Sequence, residues 1–239
     1  MKLLVVSDLH FALPQMDWLM SNAERYDAVI IAGDLLDIAG RIPIGNQIVI
    51  VLKYLERISE RRPLLVCSGN HDGDSVTMHN EYVASWLEQA NNVQTFVDGE
   101  STRLGDMLVT ILPWWDGPET RREMDEFLEK EGKKESPLWL WLHHAPPQGS
   151  PISWTGKKDA GDPNLNRLIA RYRPDFVFCG HIHNSPFRSG GSWHDKVDGC
   201  WVFNSGKQIG EIPAHISIDF DKKEATWVSL AGVESVSLA

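Results

Sequence analysis

Five short stretches of this chain carry side chains suited to chemistry. Asp8 and His10 stand in "SDLH", Asp34 and Asp37 in "GDLLD", and Asn70, His71 and Asp72 in "GNHD". His143 and His144 end "LWLWLHH", and His181 and His183 lie in "GHIH". Each stretch alone has an ordinary reading. D-x-H is a common accident, "GDLLD" suits a helix N-cap, "GNHD" suits a turn and "GHIH" a surface loop. Together they take six of the nine histidines, which calls for a common cause. Burying several carboxylates and imidazoles side by side is costly unless something pairs them, and metal ions do so. Imidazole with carboxylate and amide oxygen suits Mn²⁺, Fe²⁺ or Fe³⁺, Zn²⁺, Ni²⁺ or Co²⁺. No thiolate joins the set, which disfavours a structural zinc knuckle. The donors exceed one tetrahedral sphere, so two ions sharing a carboxylate fit the count.

The elements that must position these residues are apolar runs that stop just before them. "KLLVVS" (2–7), "DAVIIA" (27–32), "PLLVCS" (63–68), "LWLWL" (138–142) and "DFVFCG" (175–180) read as strands buried on both faces. Helical spacing lies between them at 14–25, 46–61, 77–91, 118–132 and 163–172. "VQTFV", "STRLGD" and "MLVTILPWW" suggest a small antiparallel insertion or a sheet edge. The last third reads as strands with little helix. In open α/β sheets ligands bind at the carboxyl ends of strands, which is where all five clusters fall. The pattern predicts one domain over residues 1–239, two packed sheets flanked by helices.

The ordered set D-x-H, G-D-x-x-D, G-N-H-D, H-x-P and G-H-x-H, from residue 8 to residue 183, resembles the calcineurin-like metallophosphoesterase superfamily. The resemblance implies a four-layer αββα sandwich of two mixed β-sheets. It implies that Asp8, His10 and His183 bind a first metal, that Asp34 bridges two, and that Asn70, His181 and one histidine of "HHAPP" bind the second. The family pattern sets a proline two residues after that histidine. His144 meets it through Pro146, and strand alternation lets only one of the pair face the metals. His71 is expected to face the substrate phosphate and protonate the leaving oxygen, with Asp37 accepting a hydrogen bond from its other nitrogen. Asp72 is expected to cap the following turn. The implied reaction is phosphoester hydrolysis, with a metal-bridging hydroxide attacking phosphorus in line. The substrate would be a phosphomonoester or a small phosphodiester.

Composition bounds the alternatives. The chain is 42% hydrophobic with a formal net charge of -10. A metal-dependent nuclease of the same superfamily needs DNA-binding elements, and an acidic surface of this length offers nucleic acid little. A silent scaffold, like the retromer subunit of this fold, would have lost motif residues that stand here intact. "MKLLVVS" is too short for a signal peptide or a membrane span, and Cys67, Cys179 and Cys200 read as buried reduced thiols, so a cytoplasmic protein is expected. Specificity falls to the loops bearing Trp114, Trp115, Trp154 and Trp193, where packing is the preferred reading and base stacking the alternative. Lys157, Lys158, Arg188 and His194 are candidates to reach a phosphate. Arg121 and Arg122 read as a solvated helix face.

Overall fold

The computed structural model describes residues 1–132 and 136–239. Its first sheet contains β1 (Lys2–Val6), β2 (Ala28–Ala32), β3 (Leu64–Cys67), β6 (Thr95–Phe96), β13 (His215–Asp219), β14 (Glu224–Ser229) and β15 (Gly232–Ser237). They lie in the order β15-β14-β13-β1-β2-β3-β6. The strands β1, β2, β3 and β6 run parallel, while β13 to β15 run antiparallel to their neighbours. The second sheet contains β7 (Ser101–Leu104), β8 (Met107–Ile111), β9 (Leu138–Leu142), β10 (Phe176–Cys179), β11 (His194–Val197) and β12 (Cys200–Asn204), ordered β11-β12-β10-β9-β8-β7. Here β8, β9, β10 and β12 are parallel and the outer two strands antiparallel. Both sheets are mixed, as expected.

Strand alternation builds three apolar layers. Leu3, Val5, Ile30 and Leu65 point inward and meet Leu140, Leu142, Phe178 and Phe203 of the other sheet. Their neighbours Leu4, Val6, Ile31 and Val66 point outward and pack on α1 (Leu13–Asn22) and α2 (Ile44–Ser59) through Leu19, Val51 and Leu55. On the far side Trp141, Val177 and Val202 pack on α3 (Pro118–Glu131) and α4 (Pro163–Tyr172) through Leu128, Leu165 and Leu168. The result is the four-layer αββα sandwich. The three cysteines are free and buried. Among the described residues no helix is long and apolar enough to cross a membrane.

The helix expected over 77–91 does not form. Strands β4 (Ser75–Val76) and β5 (Tyr82–Val83) make a hairpin there, followed by a 3-10 turn over Ser85–Ala90. Tertiary partners override the local periodicity. The buried Glu81 carboxylate accepts the Glu119 and Thr120 amides at 2.9 and 2.8 Å, capping α3, and Asn80 turns left-handed to present it. The segment expected as an antiparallel insertion divides instead. Strand β6 joins the first sheet in parallel, and β7 with β8 forms an edge of the second.

Candidate metal centre

The carboxyl ends of β1, β2 and β3 in one sheet and of β9 and β10 in the other converge on one point. Around it the chain leaves regular conformation. Asp8, His10, Asp34 and His181 all have positive φ, at 55, 41, 55 and 68°. Side chains rarely adopt that left-handed region, and such residues concentrate at functional sites.

Asp8, His10, Asp34 and His183 offer ligand atoms that lie within 4.8 Å of one another. His183 Nε2 is 3.2 Å from Asp8 Oδ1, and His10 Nε2 is 3.5 Å from Asp34 Oδ2. The Nε2 atoms of His10 and His183 face each other at 3.0 Å. A second group adjoins the first at Asp34. His144 Nε2 lies 3.2 Å from Asp34 Oδ2, and His181 Nδ1 lies 2.8 Å from Asn70 Oδ1. Asp8 Oδ1 also accepts the His181 amide, and the other Asp34 oxygen, Oδ1, accepts the His71 amide.

The donor set fits metal ions. His144 is fully buried, and its Nε2 is aimed at the Asp34 carboxylate without a well-aligned hydrogen bond to any described residue. A side chain at Gly69 would run into the Asp34 carboxylate and His144, so the loop must pass there without one. Burial disfavours charge on Asp34, yet His144, the His71 amide and His10 outweigh it and hold the carboxyl well below its usual range. Burial also disfavours charge on His144, but Asp34 and Asp8 raise its imidazole to about 9. For His10 and His181 burial prevails and lowers both to about 4, leaving neutral imidazoles ready to donate lone pairs.

His143 and His144 point opposite ways, as alternation requires. His143 stacks on Trp115 with ring centroids 3.8 Å apart, and burial lowers it to about 3. It belongs to the packing under the site. His71 Nε2 is 4.0 Å from Asp34 Oδ2 and its ring meets His10 edge-on. The expected bond from His71 to Asp37 is absent. Asp37 Oδ1 accepts the Ala39 amide at 3.0 Å, and Gln47 ties the Asp37 backbone at both N and O, which turns the carboxylate into its own loop. His71 Nδ1 has no partner among the described residues. Asp72 also departs from expectation. It caps no following turn but accepts the amides of Leu35, Leu36 and Gly69, joining the loops after β2 and β3.

Trp115 and Trp193 are buried packing residues and Trp154 donates to Ser189 O, whereas half-buried Trp114 lies against His181 and His144 at 5.4 and 5.8 Å. Arg122 pairs with Glu119 and Glu126 on an exposed helix face, as read. Among the described residues Lys157, Lys158, Arg188 and His194 make no hydrogen bond or ion pair with the cluster. The cation at the site is Lys207, which no motif announced. It is half-buried, its amide donates to His183 O at 3.0 Å, and burial lowers its ammonium against the pull of Asp8, Asp37 and Asp34. Its signal was the end of β12, a strand parallel to β10 whose carboxyl end points the same way.

A family model described as calcineurin-like phosphoesterase matches residues 1–185. Purple acid phosphatase 21 of Arabidopsis thaliana is 24% identical over 206 residues, 79% of this chain and 46% of that protein. A nucleotide pyrophosphatase/phosphodiesterase of Hordeum vulgare is 24% identical over 203 residues, 72% of this chain and 52% of its own. The chain thus spans about half the length of the curated relatives it matches. The solved structure of TT1561 from Thermus thermophilus superposes with a TM-score of 0.63 at 16% identity, covering 100% of this chain and 99% of that one. Purple acid phosphatase PPD1 from yellow lupin gives 0.61 at 15% identity, over 99% of this chain and 53% of its own. At such identities these two likenesses show the fold.

Proposed function

The chain belongs to the calcineurin-like phosphoesterase family, and from that premise we propose that it hydrolyses a phosphomonoester or small phosphodiester with two bound metal ions. One observation carries the reading: two donor groups, one of Asp8, His10 and His183 and one of Asn70, His144 and His181, meet at a shared Asp34. Asp34 would then help to hold both ions. Divalent or trivalent ions of the Mn, Fe or Zn type, when bound, supply a water activated near neutral pH and positive charge for the phosphoryl oxygens.

The remaining work falls to this chain's own groups. His71 stands beside Asp34 with its side chain about a quarter exposed, open to a bound ester from the solvent side. In this reading it gives a proton to the leaving oxygen. The Lys207 ammonium has no hydrogen-bond or ion-pair partner among the described residues, and in this reading it serves the phosphoryl group. Left-handed backbone at Asp8, His10, Asp34 and His181 holds the ligands in one arrangement before substrate arrives.

Turnover of an aryl phosphate ester by purified protein tests this, with metal analysis of the same sample. The expected result is two ions per chain, loss of turnover on chelation and recovery with Mn²⁺. A fully active protein with one tightly bound ion would remove the dinuclear reading. An inert, fully metallated protein would remove the enzyme.

A further inference from the structure

Beside the metal centre lies a cleft of ≈ 240 Å³ between α3 and the 3-10 turn over Ser85–Ala90. A smaller recess of ≈ 60 Å³ shares Ser68 and Trp114 with it and reaches Asn70. Trp114 is the partition. It lies against His181 and His144, and it also lines both hollows. A group bonded to a phosphoryl at the metal centre can therefore pass Asn70 and rest beyond Trp114.

The lining says what that group is. Leu87, Trp114 and Met124 give apolar walls. Asp98 stands among them with its carboxyl pushed up to about 6 by burial, a sign of poor hydration. Glu88 and Glu123 stand exposed at the rim. Among the described residues, none lining either hollow is Lys, Arg or His. A second phosphate or a carboxylate would meet only like charge there. An ammonium would meet carboxylates and an indole ring, to which cations are attracted. The cleft is smaller than the roughly 300–1,000 Å³ of drug-sized pockets, which limits the group to about one ring or a short chain.

We infer that this cleft receives the organic group of the phosphoester, and that the substrate class is a phosphoester of a small uncharged or cationic alcohol. The inference rests on the phosphoesterase reading above.

The test compares two substrates, 4-(trimethylammonio)phenyl phosphate and 4-carboxyphenyl phosphate, on metal-loaded full-length protein. The quantity read is the ratio of their kcat/KM values, taken for the wild type and for the double variant E88K/E123K. Intrinsic leaving-group differences cancel between the two proteins. The ratio should fall on the order of tenfold in the variant, since it turns an attractive rim repulsive. E88Q/E123Q should fall between them, and it serves if the lysine pair disturbs folding. E126K/E129K makes the same charge change on α3 outside the cleft and should keep the wild-type ratio. An unchanged ratio in E88K/E123K, or an equal fall in E126K/E129K, overturns the inference while leaving hydrolysis standing. Failure of the wild type to cleave either ester overturns both.

Discussion

His144 Nδ1 lies 2.7 Å from the carbonyl oxygen of Ala32, so the end of β9 is tied to the end of β2 across the two sheets. The bond fixes Nδ1 as a donor and turns Nε2 toward Asp34.

Metal uptake at the proposed centre would therefore displace a proton. With its imidazole raised to about 9, His144 is charged at neutral pH in the metal-free protein. An ion competes with that proton, so affinity should rise about tenfold per pH unit up to about 9 and then level off. Calorimetry in two buffers of different ionisation enthalpy measures the proton released. His144→Ala should lose both the proton and the metal, whereas His143→Ala should retain metal. Reversed phenotypes would place the ligand at His143.

Asp72 should matter for stability more than its distance from the chemistry suggests. Its carboxylate accepts three amides at 2.8 to 2.9 Å, from Leu35, Leu36 and Gly69. Asp72→Ala strands three buried donors at about 1–3 kcal/mol each, and urea unfolding should show a loss of several kcal/mol. Asp72→Asn keeps one acceptor oxygen and should fall in between. Equal losses for the two variants would mean that the amides find other partners.

The role given to His71 predicts a dependence on the leaving group. A nitrophenolate departs without a proton, and an alkoxide does not. His71→Asn should cost about 10²–10⁴-fold on an alkyl phosphoester and much less on a nitrophenyl ester, with metal content intact. If both substrates slow alike, His71 stabilises phosphoryl charge instead. Asp37→Asn should leave this pattern unchanged, because the Asp37 carboxylate bonds to Ala39 and not to His71.

His143 should make the fold acid-sensitive. Its folded value of about 3 lies below the ordinary 6.5, so the unfolded chain binds a proton that the folded protein refuses. Its effect on stability is absent above about 6.5, and stability is lost as pH falls from there toward 3. The slope is at most about 1.4 kcal/mol per pH unit. His143→Phe keeps a ring against Trp115 and removes the slope. Denaturation series at pH 6.5, 5.5 and 4.5 should diverge between the two proteins, and parallel series would count against the assignment.

The sandwich and the grouping of the site residues were legible because both follow from short-range rules. Apolar runs stop where strands stop, and the polar residues that follow have no other reason to cluster. Strand alternation separates His143 from His144 in the same way. What escaped depends on long-range contacts. The Glu81 bond to α3 replaces an amphipathic helix with a hairpin, and Gln47 turns Asp37 aside. Lys207 reaches the site because buried Asn204 pins its loop, donating to Ile182 O and accepting the Gly206 amide. No periodicity in "NSGKQIG" encodes that.

The left-handed backbone at the ligands has a consequence for engineering. Each such non-glycine residue costs on the order of 1–3 kcal/mol, which glycine would relieve. His10 and His181 are two of them, at φ 41 and 68°. At His181, the less buried of the two, His181→Gly should relieve that strain and make the metal-free protein harder to melt even as it removes a proposed metal ligand. A directed-evolution campaign scored on thermal tolerance alone would enrich such a change and breed the proposed activity out of the protein while its melting curve improved.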